Sequence, residues 1–183
     1  HILLGGPHPT AVQHDVFDEI PELDHAVSGE GEAVAVALLD WIAAGTPGAP
    51  PAGVITRGHP LVAATPEPDL SRIARPAWDL LPMGSYRYLF STRPGFGTMI
   101  TSRGCPFRCS FCDKSVSGSR WRAREPADVV DEMEALVHHH GVRFINFYDD
   151  NFTLRRSRVV GICEEILRRG LDVQWKCEGR VDG

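Results

Sequence analysis

Hydrophobic positions in the first part of the chain alternate between short continuous runs and helical spacing. Residues 2–4 form an apolar run that ends in Gly5-Gly6, which predicts a buried strand followed by a tight turn. Thr10 predicts the N-cap of a helix that stops before Pro21. Residues 25–27 predict a second strand, and a second helix follows over residues 32–44. This alternation is typical of parallel βα units.

The same rhythm returns after residue 97. Strands are predicted at 98–102, 142–148 and 171–177, and the helices between them end at Gly141 and Gly170. Polar residues follow each strand directly. Parallel βα strands with polar residues after their carboxyl ends predict part of a barrel whose site lies at that edge.

The segment between these two parts is rich in proline. Residues 46–96 contain nine of the fourteen prolines, which favours an extended connector. Within it, residues 53–57 and 61–64 predict a small hairpin. We therefore expect three regions, namely residues 1–45, 46–96 and 97–183.

Composition and charge add three constraints. The 183 residues are 43% hydrophobic and 23% charged, which excludes a disordered chain. No apolar stretch reaches the roughly 20 residues of a transmembrane span, and the first residues lack the pattern of a signal peptide, so a cytoplasmic protein is expected. Residues 1–70 carry a net charge of −9 and residues 71–183 a net charge of +4, which favours two units.

Two further expectations concern the partners and the ends of the chain. The basic residues are spread along the chain, so no nucleic-acid partner is expected, while an anionic small molecule stays open. The chain begins with His1 and ends at Gly183, directly after an apparent strand. We expect a fragment of a longer protein.

Three cysteines in eight residues are the most informative feature. Cys105, Cys109 and Cys112 have the spacing C-x3-C-x2-C. Their thiolates can hold three irons of a compact iron–sulfur cube and leave the fourth iron open. A structural zinc site would need a fourth ligand, and both Cys163 and Cys177 are predicted to be core thiols.

The residues around these cysteines resemble a known family. Ser102-Arg103-Gly104 followed by CPFRCSFC is similar to the signature of the radical S-adenosylmethionine (SAM) enzymes. The resemblance implies a 4Fe–4S cluster on the three cysteines and SAM on the fourth iron. Reductive cleavage of SAM would then yield methionine and a 5′-deoxyadenosyl radical that abstracts a substrate hydrogen.

The resemblance also implies contacts with SAM. Phe111, before the last cysteine, would lie near the adenine. Asp149 and Asp150 occupy the position that contacts the SAM amino group, although the usual Gly-Gly-Glu is replaced here, and capping of the next helix is an equal alternative. Glu178 and Arg180 would meet the ribose or the carboxylate of SAM.

The beginning of the chain resembles a second kind of domain. Gly5-Gly6 with Pro7-His8-Pro9-Thr10, and the Ser-Gly-Glu-Gly-Glu segment at 28–32, are similar to the last portion of a cobalamin-binding Rossmann-like domain. Gly5 and Gly6 would let the backbone approach the nucleotide tail of cobalamin. The expected fold is therefore α/β, with the C-terminal part of such a domain followed by the first βα units of a partial (β/α)6 radical SAM barrel.

These features predict a fragment of a cobalamin-dependent radical SAM enzyme. By resemblance, such enzymes transfer methyl groups to carbon, or carry out cyclisations and rearrangements, on tetrapyrrole, lipid or natural-product precursors, with flavodoxin or ferredoxin as electron donor. A radical SAM methylthiotransferase is the alternative enzyme, but no cysteine precedes Cys105 to hold its second cluster. A non-catalytic iron–sulfur or zinc module is the alternative of another class. The fragment alone is not expected to turn over substrate.

Overall fold

A computed structural model describes residues 1–181, and the chain divides into two compact units. The first unit comprises His1–Glu67 and Phe107–Ser119. The second unit comprises Pro68–Pro106 and Arg120–Gly183. The boundaries between them fall in the proline-rich segment after Glu67, within the cysteine loop after Pro106, and after Ser119.

The first unit is built on a three-stranded sheet in the order β1 (Leu3–Leu4), β2 (His25–Val27) and β3 (Val54–Thr56). Strand β1 runs parallel to β2, and β3 runs antiparallel to β2. The βα alternation predicted for residues 1–45 is present. The elements of this unit are β1 (Leu3–Leu4), α1 (Pro7–Val12), α2 (Val16–Glu19), β2 (His25–Val27), α3 (Gly31–Ala43) and β3 (Val54–Thr56).

The first helix begins earlier than predicted. Thr10 lies inside α1, which starts at Pro7, because a proline at the first helical position has no N–H to satisfy. The Thr10 hydroxyl instead donates to the Gly6 carbonyl at 2.7 Å and accepts from the Gly29 amide at 2.9 Å. Thr10 thereby ties the two glycine-containing loops of this unit together.

The predicted hairpin at residues 53–64 is wrong. Residues 61–64 form no strand, and β3 pairs with β2 in the register Ala26↔Ile55. All three residues of β2 and all three of β3 are buried, so this pairing covers both strands. A two-stranded hairpin alone could not bury them, since it has too few neighbours.

The second unit contains a parallel three-stranded sheet in the order β4 (Phe96–Met99), β7 (Phe144–Phe147) and β8 (Gln174–Lys176). Two helices connect its strands, as the alternation predicts, and both end at a glycine in the left-handed region, Gly141 (φ 66°) and Gly170 (φ 63°). The elements of this unit are β4 (Phe96–Met99), β5 (Ser102–Arg103), β6 (Arg122–Ala123), α4 (Pro126–His140), β7 (Phe144–Phe147), α5 (Arg156–Arg169) and β8 (Gln174–Lys176).

The core of the second unit lies between this sheet and helices α4 and α5. Ile145 and Phe147 of the central strand are fully buried against residues of both helices, such as Met133 and Ile162. The pair β5–β6 is antiparallel and flanks the cysteine loop in sequence. Over residues 1–181, the helices are too short or too polar for a membrane span.

Candidate functional site

The carboxyl ends of the three parallel strands lie along one edge of the second unit. Two hydrogen bonds join the segments that leave these strands. The Tyr148 amide donates to the Met99 carbonyl at 2.9 Å, and the Phe152 amide donates to the Glu178 carbonyl at 3.0 Å. The segments after β4, β7 and β8 are therefore held together, and three of the predicted site residues, Asp149, Asp150 and Glu178, lie in them.

Asp149 is buried at this edge and is bonded to the segment that follows β4. Its Oδ1 accepts from the Thr101 amide at 2.7 Å, and its Oδ2 accepts from the hydroxyls of Thr101 (2.7 Å) and Ser102 (2.5 Å). Burial raises the pKa of Asp149, although these hydrogen bonds and the charge of Arg158 favour the carboxylate. Both oxygens are thus bonded to the residues that precede the cysteine loop.

Asp150 is hydrogen-bonded to the next part of the segment that leads to Cys105. Its Oδ2 accepts from the Gly104 amide at 2.7 Å. Gly104 has a φ of 81° and directly precedes Cys105, so a side chain at this position would be strained. The adjacent carboxylates of Asp149 and Asp150 therefore bind three of the four residues before the first cysteine.

Arg158, which is not among the site residues predicted from the sequence, completes this arrangement. Its Nη2 donates to the carbonyl (2.9 Å) and the hydroxyl (2.7 Å) of Thr101, and its Nε donates to the Arg124 carbonyl at 2.9 Å. The side chain is buried in the first turn of α5. One signal was available in the sequence: Arg158 precedes Ile162 and Ile166 by four and eight residues, so it lies on the apolar face of the helix.

The cysteine loop has no regular structure other than turns between β5 and β6. Cys105 is buried in the second unit, whereas Cys109 and the exposed Cys112 belong to the first. The Cys112 amide donates to the Cys109 carbonyl at 3.2 Å, and the Lys114 ammonium donates to the Phe107 carbonyl. Phe111 is 90% exposed.

The donor set of this loop fits an iron–sulfur cluster. All five cysteines are thiols, and three of them fall in one segment without helix or strand, which can adapt its conformation to a cluster. Within residues 1–181, no three His, Cys, Asp or Glu side chains already converge in the arrangement of a metal site. The assignment of Cys105, Cys109 and Cys112 as ligands therefore rests on their chemistry and spacing, and it stays a prediction.

The other residues predicted for this edge follow β8. Glu178 is exposed, and its carboxylate lies 3.4 Å from the Lys176 ammonium. Arg180 is partly buried. Cys177 packs against the core, and burial raises the pKa of its thiol, so it is a weaker nucleophile and metal ligand than an ordinary cysteine. Cys163 is partly buried on α5.

The glycine pair of the first unit lines a separate cleft of about 490 Å³. Gly6 has a φ of 100°, and a Cβ added there would meet no atom within 4 Å, so it would point into open space. The cleft is mostly apolar. Its lining residues are Leu3, Leu4, Gly5, Gly6, Val27, Gly31, Glu32, Ala35, Leu38 and Leu39.

Comparison with known proteins places these features in context. Residues 99–182 match the family described as the radical SAM superfamily. An uncharacterized methyltransferase from Pyrococcus horikoshii is 35% identical over 99% of the chain and 40% of its own length. The anaerobic magnesium-protoporphyrin IX monomethyl ester cyclase of Rubrivivax gelatinosus is 38% identical over 98% of the chain and 33% of its own length. The chain thus spans less than half of these relatives.

Among solved structures, the radical SAM methyltransferase TsrM from Kitasatospora setae, with cobalamin and a 4Fe–4S cluster bound, is similar with a TM-score of 0.64 at 22% identity. The similarity covers 91% of this chain and 34% of that one. It shows a shared α/β fold. The family match covers the cysteine loop and the parallel strands of the second unit, so residues 99–182 are similar to the radical SAM superfamily.

Proposed function

We propose that this chain is part of a cobalamin-dependent radical SAM enzyme that transfers a methyl group to carbon or carries out a related cyclisation. The observation that carries the proposal is the C-x3-C-x2-C loop, which leaves the carboxyl edge of a parallel sheet and is held at its start by Asp149 and Asp150. The names of the relatives, which include methyltransferases and tetrapyrrole cyclases, support both reaction types.

Cys105, Cys109 and Cys112 would hold a 4Fe–4S cluster. Such a cluster would supply the electron for cleavage of bound SAM to methionine and a 5′-deoxyadenosyl radical, as the resemblance to the family implies. Phe111, Glu178 and Arg180 would contact SAM, with the exposed ring of Phe111 available to the adenine. Asp149 and Asp150 would contact the SAM amino group, in addition to the hydrogen bonds that they accept from the segment before Cys105.

The first unit would bind cobalamin. We assign the C-terminal part of a Rossmann-like cobalamin-binding domain to residues 1–45, a connector to 46–96, and the first units of a (β/α)6 barrel to 97–183. The cleft beside Gly5 and Gly6 supports this assignment, because its apolar lining and open backbone suit a bulky, largely uncharged ligand. The substrate class would be a tetrapyrrole, lipid or natural-product precursor, and flavodoxin or ferredoxin would supply the electron.

The iron–sulfur assignment can be tested by anaerobic reconstitution of the chain with iron and sulfide. We expect about four irons and four sulfides for each chain and a brown absorbance, as for other cysteine-ligated cubanes. Cys109→Ser and Cys112→Ser should each lose most of the iron. Cys163→Ser is the matched control and should keep the wild-type iron content, because Cys163 lies on α5, outside the loop.

Two results would contradict the proposal. One equivalent of zinc without a chromophore would favour a structural metal module. The enzyme that contains this chain would then be loaded with its cluster and given SAM under reducing conditions. If it formed no 5′-deoxyadenosine, the proposed radical reaction would be wrong. Binding of cobalamin is tested separately, by its absorbance after gel filtration. Ala35→Phe is the variant that fills the cleft, because Ala35 is an exposed helical residue that lines it.

A further inference from the structure

A second cleft lies in the second unit, where helices α4 and α5 begin. It has a volume of about 390 Å³, and all its lining residues belong to this unit. The residues predicted to bind SAM or the cluster do not line it. Its lining consists of Trp121, Ala123, Arg124, Glu125, Pro126, Arg155, Ser157 and Arg158.

Two helix N-termini contribute to this cleft. Helix α4 starts after Glu125 and α5 starts after Arg155, and neither first turn is capped by a hydrogen bond from its N-cap side chain. The first N–H groups of a helix have no partner within the helix, and the helix dipole adds a partial positive charge there. The cleft therefore combines two positive helix ends with the hydroxyl group of Ser157.

Buried donors without partners provide the independent observation. Arg158 is 6% exposed, and its Nη1 has no hydrogen-bond partner, although its Nε and Nη2 are both bonded. The indole Nε1 of Trp121 is also buried without a partner. Buried hydrogen-bond donors in folded proteins nearly always have an acceptor. Because these two residues line the same cleft, their unpaired donors indicate that the cleft binds a ligand with acceptor atoms.

The charges of the lining residues favour an anion. In the described part of the chain Arg155 pairs with no carboxylate, and its guanidinium lies 5.1 Å from the centre of the Trp121 ring. Arg124 is neutralised by Asp128 at 2.7 Å and Glu132 at 2.5 Å, neither of which lines the cleft. The negative charge of Asp149, which does not line the cleft, also acts on Arg158. Glu125 is the acidic residue among the lining residues.

We propose that this cleft binds a phosphate-sized oxyanion, such as the phosphate group of a small-molecule ligand. A tetrahedral oxyanion has enough acceptor oxygens to serve Arg158 Nη1, Arg155 and the free N–H groups of a helix terminus together. Arg155 supplies the adjustable charge at the mouth, and Arg158 supplies the fixed donor at the base. The proposal is independent of the SAM and cobalamin assignments.

The test uses the Trp121 indole N–H as the probe. The chain, labelled with nitrogen-15, is titrated with inorganic phosphate and, separately, with sulfate at constant ionic strength maintained with chloride. Trp121→Phe identifies the Trp121 signal among those of the four tryptophans. We expect a saturable shift of this signal with both oxyanions.

Arg155→Gln should weaken the apparent affinity about tenfold, which corresponds to one lost charge-assisted contact. Arg156→Gln removes the same charge from the neighbouring exposed residue, which does not line the cleft, and should leave the affinity unchanged. Both residues are exposed, so both variants should fold, which circular dichroism checks. No saturable shift, or equal weakening in the two variants, would overturn the proposal.

Discussion

Two adjacent carboxylates illustrate how much a neighbouring position changes the role of a side chain. Asp149 is buried and accepts three hydrogen bonds from Thr101 and Ser102, whereas Asp150 is exposed and accepts one from the Gly104 amide. The side chain of Asp149 enters the interior, whereas that of Asp150 lies at the surface. Both act on the segment that leads to Cys105.

Asp150→Ala should release the start of the cysteine loop. The Gly104 amide would lose its only side-chain acceptor in the described structure, which we expect to raise its hydrogen-exchange rate about five- to tenfold, equivalent to roughly 1 kcal/mol. Asp150→Asn retains an oxygen at this position and should restore most of the protection. Because Asp150 is exposed, neither variant should shift the melting temperature much; equal exchange in both variants would contradict this role.

At the scale of elements, the start of α4 is joined to its surroundings by ion pairs. Asp128 lies in the first turn of this helix, where a negative charge also suits the helix dipole. The Arg124 guanidinium bonds it at 2.7 Å and Arg75 lies at 3.0 Å. Hydrogen bonding from Arg124, aided by Arg75, lowers the pKa of Asp128 below its ordinary value of 3.8 against the opposing effect of burial.

The lowered pKa of Asp128 predicts how the free energy of unfolding changes in acid. A carboxyl whose pKa is lower in the folded state stabilises the fold above its unfolded pKa, and that contribution is lost as the pH falls through the folded pKa. The free energy of unfolding should therefore decline below about pH 4, and Asp128→Asn should show a smaller decline than the wild type. Urea denaturation at several pH values measures this, with the exposed Asp18→Asn as control; an unchanged decline in Asp128→Asn would refute it.

At the scale of the whole molecule, the chain has separate hydrophobic cores in its two units. Ile55 is fully buried in the sheet of the first unit, and Ile145 is fully buried in the sheet of the second. The buried clusters around these residues share no member. Each core therefore stabilises primarily the unit that contains it.

Truncating one core should affect mainly its own unit. Ile55→Ala and Ile145→Ala should each cost about 2–5 kcal/mol, the usual range for a buried isoleucine. Hydrogen exchange should show the larger loss of protection in β2 and β3 for the first variant and in β4 and β7 for the second. An equal loss in both units from either variant would show that the chain unfolds as a single cooperative body.

The sequence alone determined those features that depend on neighbouring residues. Pro126 and Gly141 predicted both ends of α4, since proline suits the first helical turn and glycine adopts the left-handed end without strain. Hydrophobic spacing predicted the βα order of both parts and the parallel sheet of the second unit. The three-cysteine spacing predicted the similarity of residues 99–182 to the radical SAM superfamily, because this motif is contained in eight consecutive residues.

Tertiary structure decided the features that join distant residues. The partner of β3 is β2 and not the next apolar segment, because only the larger sheet buries both strands. The bonds from residue 149 to residues 101 and 102 and from Arg158 to Thr101 span 47 to 57 positions of the chain. No local pattern encodes such pairs, since they form only when packing brings a buried carboxylate and a buried guanidinium to the same backbone segment.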